Sequence, residues 1–317
     1  LEKCENSQRL RQLRSLEQIS AARIVHNGRQ LINFSSNDYL ALNNDEDLKK
    51  AAVSAVEQFG VGSTASRLVC GTHQLHTQLE ENLAQWKKTE AALLFNNGFQ
   101  ANCGIIQAIA DRHTLVFSDK LNHASIVDGI RLSGAKQVRF KHGDMQDLQS
   151  LLEKYKNETC RKIIISETLF SMDGDYCDFM ALAAFAKKYN ALLYLDDAHG
   201  SAINGPQGRG PAHEIMADVD FYVGTFGKAL GSFGAYCACS TEIKNYLINS
   251  ARSFIFSTSL PPAVIAANIA AVKRVQEMDE EREKVIKLSE NLRQRLSDTG
   301  FVTNHDTSPI VPLIVGS

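Results

Sequence analysis

The sequence predicts an α/β fold, a mostly parallel seven-stranded sheet between layers of helices. Two patterns predict it. Short apolar runs of strand length alternate with stretches of helical periodicity through most of the chain, and the runs suit strands covered on both faces. The residues able to do chemistry also fall just past the ends of these runs, where ligands of α/β sheets collect.

Taken in order, residues 1–45 read as an N-terminal segment, 46–260 as the large domain, and 261–317 as linking helices and the start of a further domain. The opening Leu1-Glu-Lys-Cys-Glu-Asn has no signal-peptide pattern. Residues 41–59 are expected to be helical, with Leu48, Ala52, Val56 and Phe59 on one face. Gly60-Val-Gly62-Ser-Thr-Ala65 has the spacing of a dinucleotide fingerprint but follows a helix rather than a strand, so a flexible glycine loop is the better reading. Leu75, Leu79, Leu83 and Trp86 mark the next helix, with Thr72 as its N-cap. Strands are expected at Ala92–Phe95, Thr114–Ser118, Gln137–Phe140, Lys162–Thr168, Ala191–Asp196, Phe221–Thr225 and Gly234–Cys239. Ala181–Tyr189 repeats the helical pattern after Asp178, and two long helices follow Pro261. The sequence ends on Ile310-Val-Pro-Leu-Ile-Val-Gly-Ser317, a strand-like run with nothing after it to pair. A truncated chain, lacking most of a small C-terminal α+β domain, is the expectation.

Composition narrows the function. With 34 basic and 36 acidic residues the net charge is −2, which offers no general attraction to nucleic acid or to an anionic membrane. No apolar run reaches the roughly 18 residues of a membrane span. The 7 cysteines are scattered without a C-x-x-C pair, which fits a reduced cytosol. Cys237 and Cys239 lie on one face of a strand, where packing is the simplest role.

Lys228, in Thr225-Phe-Gly-Lys228, and Asp196, which closes the run Ala191–Leu195, suggest one another's use. A lysine amine captures an aldehyde as a Schiff base, and a carboxylate at a strand end can keep a pyridinium nitrogen protonated. Asp196 and His199 are spaced so that they could also ligate a cation, but no third ligand accompanies them. Gly98 and Phe99 open a helix after a strand, a suitable phosphate cradle to which Thr225 would add a hydroxyl. His123 follows the second strand and would stack on an aromatic cofactor, while Glu167 and Ser171 lie after the fourth.

In this order, Phe34-Ser-Ser-Asn-Asp-Tyr-Leu40, Ser171-Met-Asp-Gly174, Asp196-Asp-Ala-His-Gly200, Gln207-Gly-Arg-Gly210, Thr225–Lys228 and Phe256-Ser-Thr-Ser-Leu-Pro-Pro262 resemble the α-oxoamine synthases, pyridoxal-phosphate enzymes of fold type I. The similarity covers essentially the whole chain. It is nearest to the branch that condenses L-alanine with a pimeloyl thioester, and other branches use glycine or serine. The resemblance implies that Lys228 carries pyridoxal phosphate and moves the substrate proton, that Asp196 pairs with the ring nitrogen, and that His199 and Ser171 contact the phenolic oxygen. It further implies that His123 stacks on the ring and helps hold the substrate, and that Gly98, Phe99 and Thr225 hold the phosphate. Ser257 and Thr258 would reach in from the second subunit of a homodimer with shared sites. Arg11 and Asn37 would contact substrate. The family places an arginine for the amino-acid carboxylate in a C-terminal domain, so weak cofactor binding and little turnover are expected of 317 residues. A catalytically dead homologue with a binding role is the rival from another class, against which the intact Lys228, Asp196, His199 and His123 stand.

Overall fold

A computed structural model describes residues 2–7, 9–20 and 22–315. The chain divides into two units, residues 1–37 and 38–317. The first holds helix α1 (Glu2–Asn6) and strands β1 (Glu17–Ser20), β2 (Arg23–His26) and β3 (Arg29–Ile32), paired antiparallel in that order. Asn27 and Gly28 form the turn between β2 and β3, both at positive φ (50° and 73°), as a two-residue hairpin of this hand requires. These strands are absent from the sequence expectation. They are short, β3 is exposed throughout and β2 only half-buried, and without an alternating apolar pattern they carry no periodic signal; Asn27-Gly28 is the one sign that could have found them.

The larger unit runs α2 (Glu46–Phe59), α3 (Gln74–Lys87), β4 (Ala91–Phe95), α4 (Gly98–Ile109), β5 (Leu115–Asp119), α5 (Ala124–Ser133), β6 (Lys136–Phe140), α6 (Met145–Lys154) and β7 (Lys162–Glu167). It continues with α7 (Phe179–Lys188), β8 (Leu192–Asp196), β9 (Phe221–Thr225), β10 (Ala235–Cys239), α8 (Thr241–Ser250), α9 (Arg252–Ile255), α10 (Pro262–Val275) and α11 (Asp279–Asp298). Strands β4 to β10 make one seven-stranded sheet ordered β4-β10-β9-β8-β7-β5-β6. Only β10 is antiparallel to its neighbours. All seven strands start and stop within a residue or so of the sequence expectation.

Except at the edge strand β6, where Lys136 and Arg139 are exposed, both faces of the sheet are largely buried, which is why most of the strands read as apolar runs. Leu93, Val116, Ile163, Ile165 and Val223 pack with Ile105 and Ile106 of α4 and Ile126 of α5 on one side. Ala92, Leu94, Phe117, Ile164 and Leu195 pack with Leu79 and Leu83 of α3, Leu182 of α7 and Ile265 of α10 on the other. Cys237 and Cys239 are buried on the first face as unpaired thiols. No cluster of metal-ligating side chains occurs among the described residues.

Three local expectations are corrected. The helix over 41–59 begins as a 3-10 turn at Leu42–Asn44, and α2 starts at Glu46 because Asp45 caps it, accepting from the amides of Asp47 (2.9 Å) and Leu48 (3.3 Å). His73, not Thr72, caps α3; the Thr72 hydroxyl donates to the Arg67 carbonyl instead. Of the run Ile310–Ser317, residues 310–315 form no strand, and the last two lie outside the described residues. No described strand pairs with this segment, and Pro312 has no amide hydrogen to offer a ladder.

Candidate active site

Parallel strands bring their carboxyl ends to one edge of the sheet, and four loops from that edge meet around a cavity of about 240 Å³. Register sets the floor: Asp196 at the end of β8 is level with Glu167 of β7 and Val223 of β9. Beyond β9 the chain folds back at once to β10. Phe226 is buried as the anchor, the Gly231 amide donates to the Lys228 carbonyl at 2.8 Å, and Lys228 lies at the crest. Gly231 adopts φ +64°, and a Cβ there would lie 2.4 Å from the Asn43 nitrogen, so no other residue fits.

Lys228 Nζ lies 2.8 Å from His199 Nε2, and the hydroxyl of Tyr39 lies 2.8 Å from His199 Nδ1. Burial depresses the His199 pKa to about 3, with the positive charge of Lys228 adding to the effect, so the ring is neutral at physiological pH. Burial also lowers the Lys228 pKa, against the attraction of Asp196 and Glu167. The amine is therefore more readily deprotonated than a surface lysine. Asp196, 6 % exposed, accepts from the Ala198 amide (3.0 Å) on one oxygen and from Asn102 Nδ2 (2.7 Å) on the other. Glu167 is 4 % exposed and accepts from the His123 amide at 2.6 Å; burial, then the nearby Asp196, raise its pKa well above the ordinary glutamate range.

Eight expected residues line this one cavity: Gly98, Phe99, His123, Glu167, Asp196, His199, Thr225 and Lys228. Gly98 and Phe99 open α4, where first-turn amides have no intrahelical acceptor, and a Cβ on Gly98 would meet nothing within 4 Å. The Thr225 hydroxyl donates to the Gly234 carbonyl (2.9 Å) and accepts from the Gly227 amide (3.2 Å), so it serves a phosphate only after turning. Ser171 lies in the turn after Phe170 and is not among the residues lining the cavity. Ser257 lines a separate cavity of about 10 Å³, and Thr258 forms an isolated antiparallel bridge with Ser66. Arg11 and Asn37 belong to the N-terminal unit.

Sequence reasoning did not find Asn102 or Ser125, each 1 % exposed and both lining the cavity. An asparagine within the otherwise apolar stretch Ala101–Ile106 was the available signal. The donor set suits a phosphorylated aromatic aldehyde: an amine of lowered pKa, a carboxylate at its floor, exposed helix-start amides and an imidazole at the rim.

A family model described as aminotransferase class I and II matches residues 29–317. The 8-amino-7-oxononanoate synthase of Geotalea daltonii is 51% identical over 310 residues, 96% of this chain and 79% of that protein. A putative 8-amino-7-oxononanoate synthase of Geobacillus kaustophilus is 46% identical over 319 residues, 100% of this chain and 81% of the relative. Among solved structures, serine palmitoyltransferase of Sphingomonas wittichii superposes with a TM-score of 0.92 at 32% identity, covering 98% of this chain and 80% of its own. A serine palmitoyltransferase variant of S. paucimobilis with bound PLP–myriocin gives 0.93 at 29% identity, over 100% of this chain and 83% of that one. The 8-amino-7-oxononanoate synthase of Francisella tularensis gives 0.76 at 28% identity, over 88% and 80%.

Proposed function

The chain belongs to the class I and II aminotransferase family, and from that premise we propose that it is a pyridoxal-phosphate-dependent acyltransferase of the 8-amino-7-oxononanoate synthase type. The reaction is the decarboxylative condensation of L-alanine with a pimeloyl thioester, releasing carbon dioxide and the free thiol carrier. The observation that carries it is Lys228 Nζ beside neutral His199, over a floor made by Asp196.

When bound, the cofactor supplies an aldehyde that captures an amino group and a ring that accepts electrons. Lys228 is the residue to hold it, and once released its Nζ takes and returns the substrate proton. Asp196 keeps a proton on the ring nitrogen, since a carboxylate there favours the charged form. His199, fixed between Lys228 and Tyr39, would contact the phenolic oxygen, and Ser171, outside the cavity lining, would join it only after turning inward. His123 covers the ring, and the amides of Gly98 and Phe99 receive the phosphate with help from Thr225 or the Gly227 amide. Ser257 and Thr258 from a second subunit complete this cradle in a homodimer. A cytoplasmic setting suits the unpaired thiols, and no helix among the described residues is long and apolar enough to cross a membrane.

Protein that is yellow when purified, loses that absorbance in Lys228→Ala, and forms product from alanine and pimeloyl thioester supports the reading. Colourless protein that takes up no added pyridoxal phosphate defeats it. A second reading, a serine-using acyltransferase, is favoured by the TM-scores of 0.92 and 0.93 to serine palmitoyltransferases. Titrating the bound cofactor with alanine, glycine and serine separates the two, because only the true substrate perturbs its spectrum at low concentration.

A further inference from the structure

We infer that Asn102 and Ser125 are positioning residues that hold His123 as the tautomer with its proton on Nε2, so that the ring presents a hydrogen-bond donor to the cavity. Asn102 Nδ2 lies 2.7 Å from Asp196 Oδ2 and 2.8 Å from Ser125 Oγ, and its Oδ1 lies 2.5 Å from the Tyr194 hydroxyl. A carboxylate oxygen only accepts, so the amide must turn its nitrogen toward Asp196; its oxygen then takes the Tyr194 hydrogen. The second hydrogen of the same amide goes to Ser125 Oγ. That hydroxyl, accepting from Asn102, keeps its own hydrogen for His123 Nδ1 at 2.8 Å.

The Ser125 backbone amide donates to the same ring nitrogen at 3.3 Å, because His123 is the N-cap of α5. Nδ1 therefore faces two donors and must accept, which leaves the proton of the neutral ring on Nε2. With Asn102 and Ser125 each 1 % exposed, solvent has little access to compete for these groups. The chain of bonds also joins two ends of the site. Its first member is the Asp196 carboxylate and its last the His123 ring, so Asn102 orients both through one amide group. That coupling rests on the cofactor reading, whereas the tautomer rests on the hydrogen bonds alone.

The test is nitrogen NMR of protein labelled with ¹⁵N-histidine, above the ordinary histidine pKa of about 6.5. The His123 signals are assigned by their loss in His123→Asn. The expected result is a pyridine-type Nδ1 and a pyrrole-type Nε2 in the wild type, retained in Ser125→Thr and moved toward a tautomer mixture in Ser125→Ala and in Asn102→Leu. A pyrrole-type Nδ1 in the wild type overturns the inference, as does a spectrum unchanged in Ser125→Ala. The serine pair keeps the test decisive should Asn102→Leu fold poorly. Pyridoxal phosphate titration of the same samples should show binding weakened about tenfold or more in Asn102→Leu and much less in Ser125→Ala. Wild-type protein with the expected ring signals but no uptake of pyridoxal phosphate would defeat the cofactor reading and leave the tautomer standing.

Discussion

Asp196 and Asp197 are adjacent in sequence, and their carboxylates touch different worlds. Asp196 faces the cavity with Asn102, whereas Asp197 is fully buried beneath it, accepting from the Thr168 and Ser201 hydroxyls with Lys87 Nζ at 3.9 Å. Lys87 is itself buried against the Trp86 ring (4.1 Å), donates to Ser201 Oγ (2.9 Å) and the Arg209 carbonyl (2.7 Å), and has its pKa lowered to about 7 by burial. The two acids should therefore fail differently. Asp196→Asn should weaken cofactor binding by ten- to a hundredfold, the worth of about 1.5–3 kcal/mol for a charged hydrogen bond. Asp197→Asn should instead lower the urea midpoint by the equivalent of about 3 kcal/mol, since it leaves Lys87 without its buried partner. Cofactor titration and denaturation of both variants check the assignment; equal losses in both assays would show that the pair does not divide its work. Asp196 was legible in the sequence as the acid closing a strand, but the buried role of Asp197 was not, because it depends on Lys87, Ser201 and Thr168 brought from other elements.

Elements are tied across the carboxyl edge by His142, which follows β6. Its Nδ1 lies 3.0 Å from Asp119 at the end of β5, its Nε2 2.8 Å from Asp175, and the ring meets Phe170 edge-on at 4.4 Å. A neutral imidazole donates one hydrogen, a protonated one two, so the charged form satisfies both carboxylates. Burial opposes that charge, but the hydrogen bond and charge of Asp119 and the charge of Asp175 outweigh it, and the pKa is raised. A raised folded pKa gives stability that is fully present below the unfolded value near 6.5 and is lost as pH rises through the folded value. His142→Gln should cost about 1–2 kcal/mol near pH 6 and clearly less near pH 9. A difference in urea midpoint that stays constant between those pH values would rule out the charged bridge. Six of the seven sheet strands were readable because burial on both faces leaves apolar runs, and the edge strand β6 because Val138 and Phe140 alternate with polar residues. The β1–β3 meander and this clamp were not, since one has no alternating apolar pattern and the other joins residues 23 and 33 positions apart.

For the molecule as a whole, the burial that packs both faces of the sheet also sets its response to acid. His76 is 1 % exposed, its Nδ1 accepting the His73 amide (3.1 Å) and its Nε2 facing Ser259 Oγ (2.7 Å). Burial first, and then the charge of Arg67, lower its pKa to about 4, while that of His199 falls to about 3. Both rings stay neutral in the fold but protonate near pH 6.5 when unfolded, so below about pH 6.5 the unfolded chain binds more protons and stability falls with pH. Glu167 acts with the opposite sign. Its raised pKa makes the folded state bind more protons above the ordinary glutamate range, so its contribution is lost as pH rises. Each of these histidines contributes up to about 1.4 kcal/mol of stability per pH unit between about pH 4.5 and 6.5, and the raised carboxyls Asp38, Asp197 and Asp220 oppose them as Glu167 does. His76→Gln removes one such contribution and should lower the slope of stability against pH there by up to about 1.4 kcal/mol per unit, at the expense of some stability at neutral pH. Urea midpoints of both proteins across this range measure the slope, and parallel limbs would mean that His76 takes up its proton as readily in the folded chain as in the unfolded one.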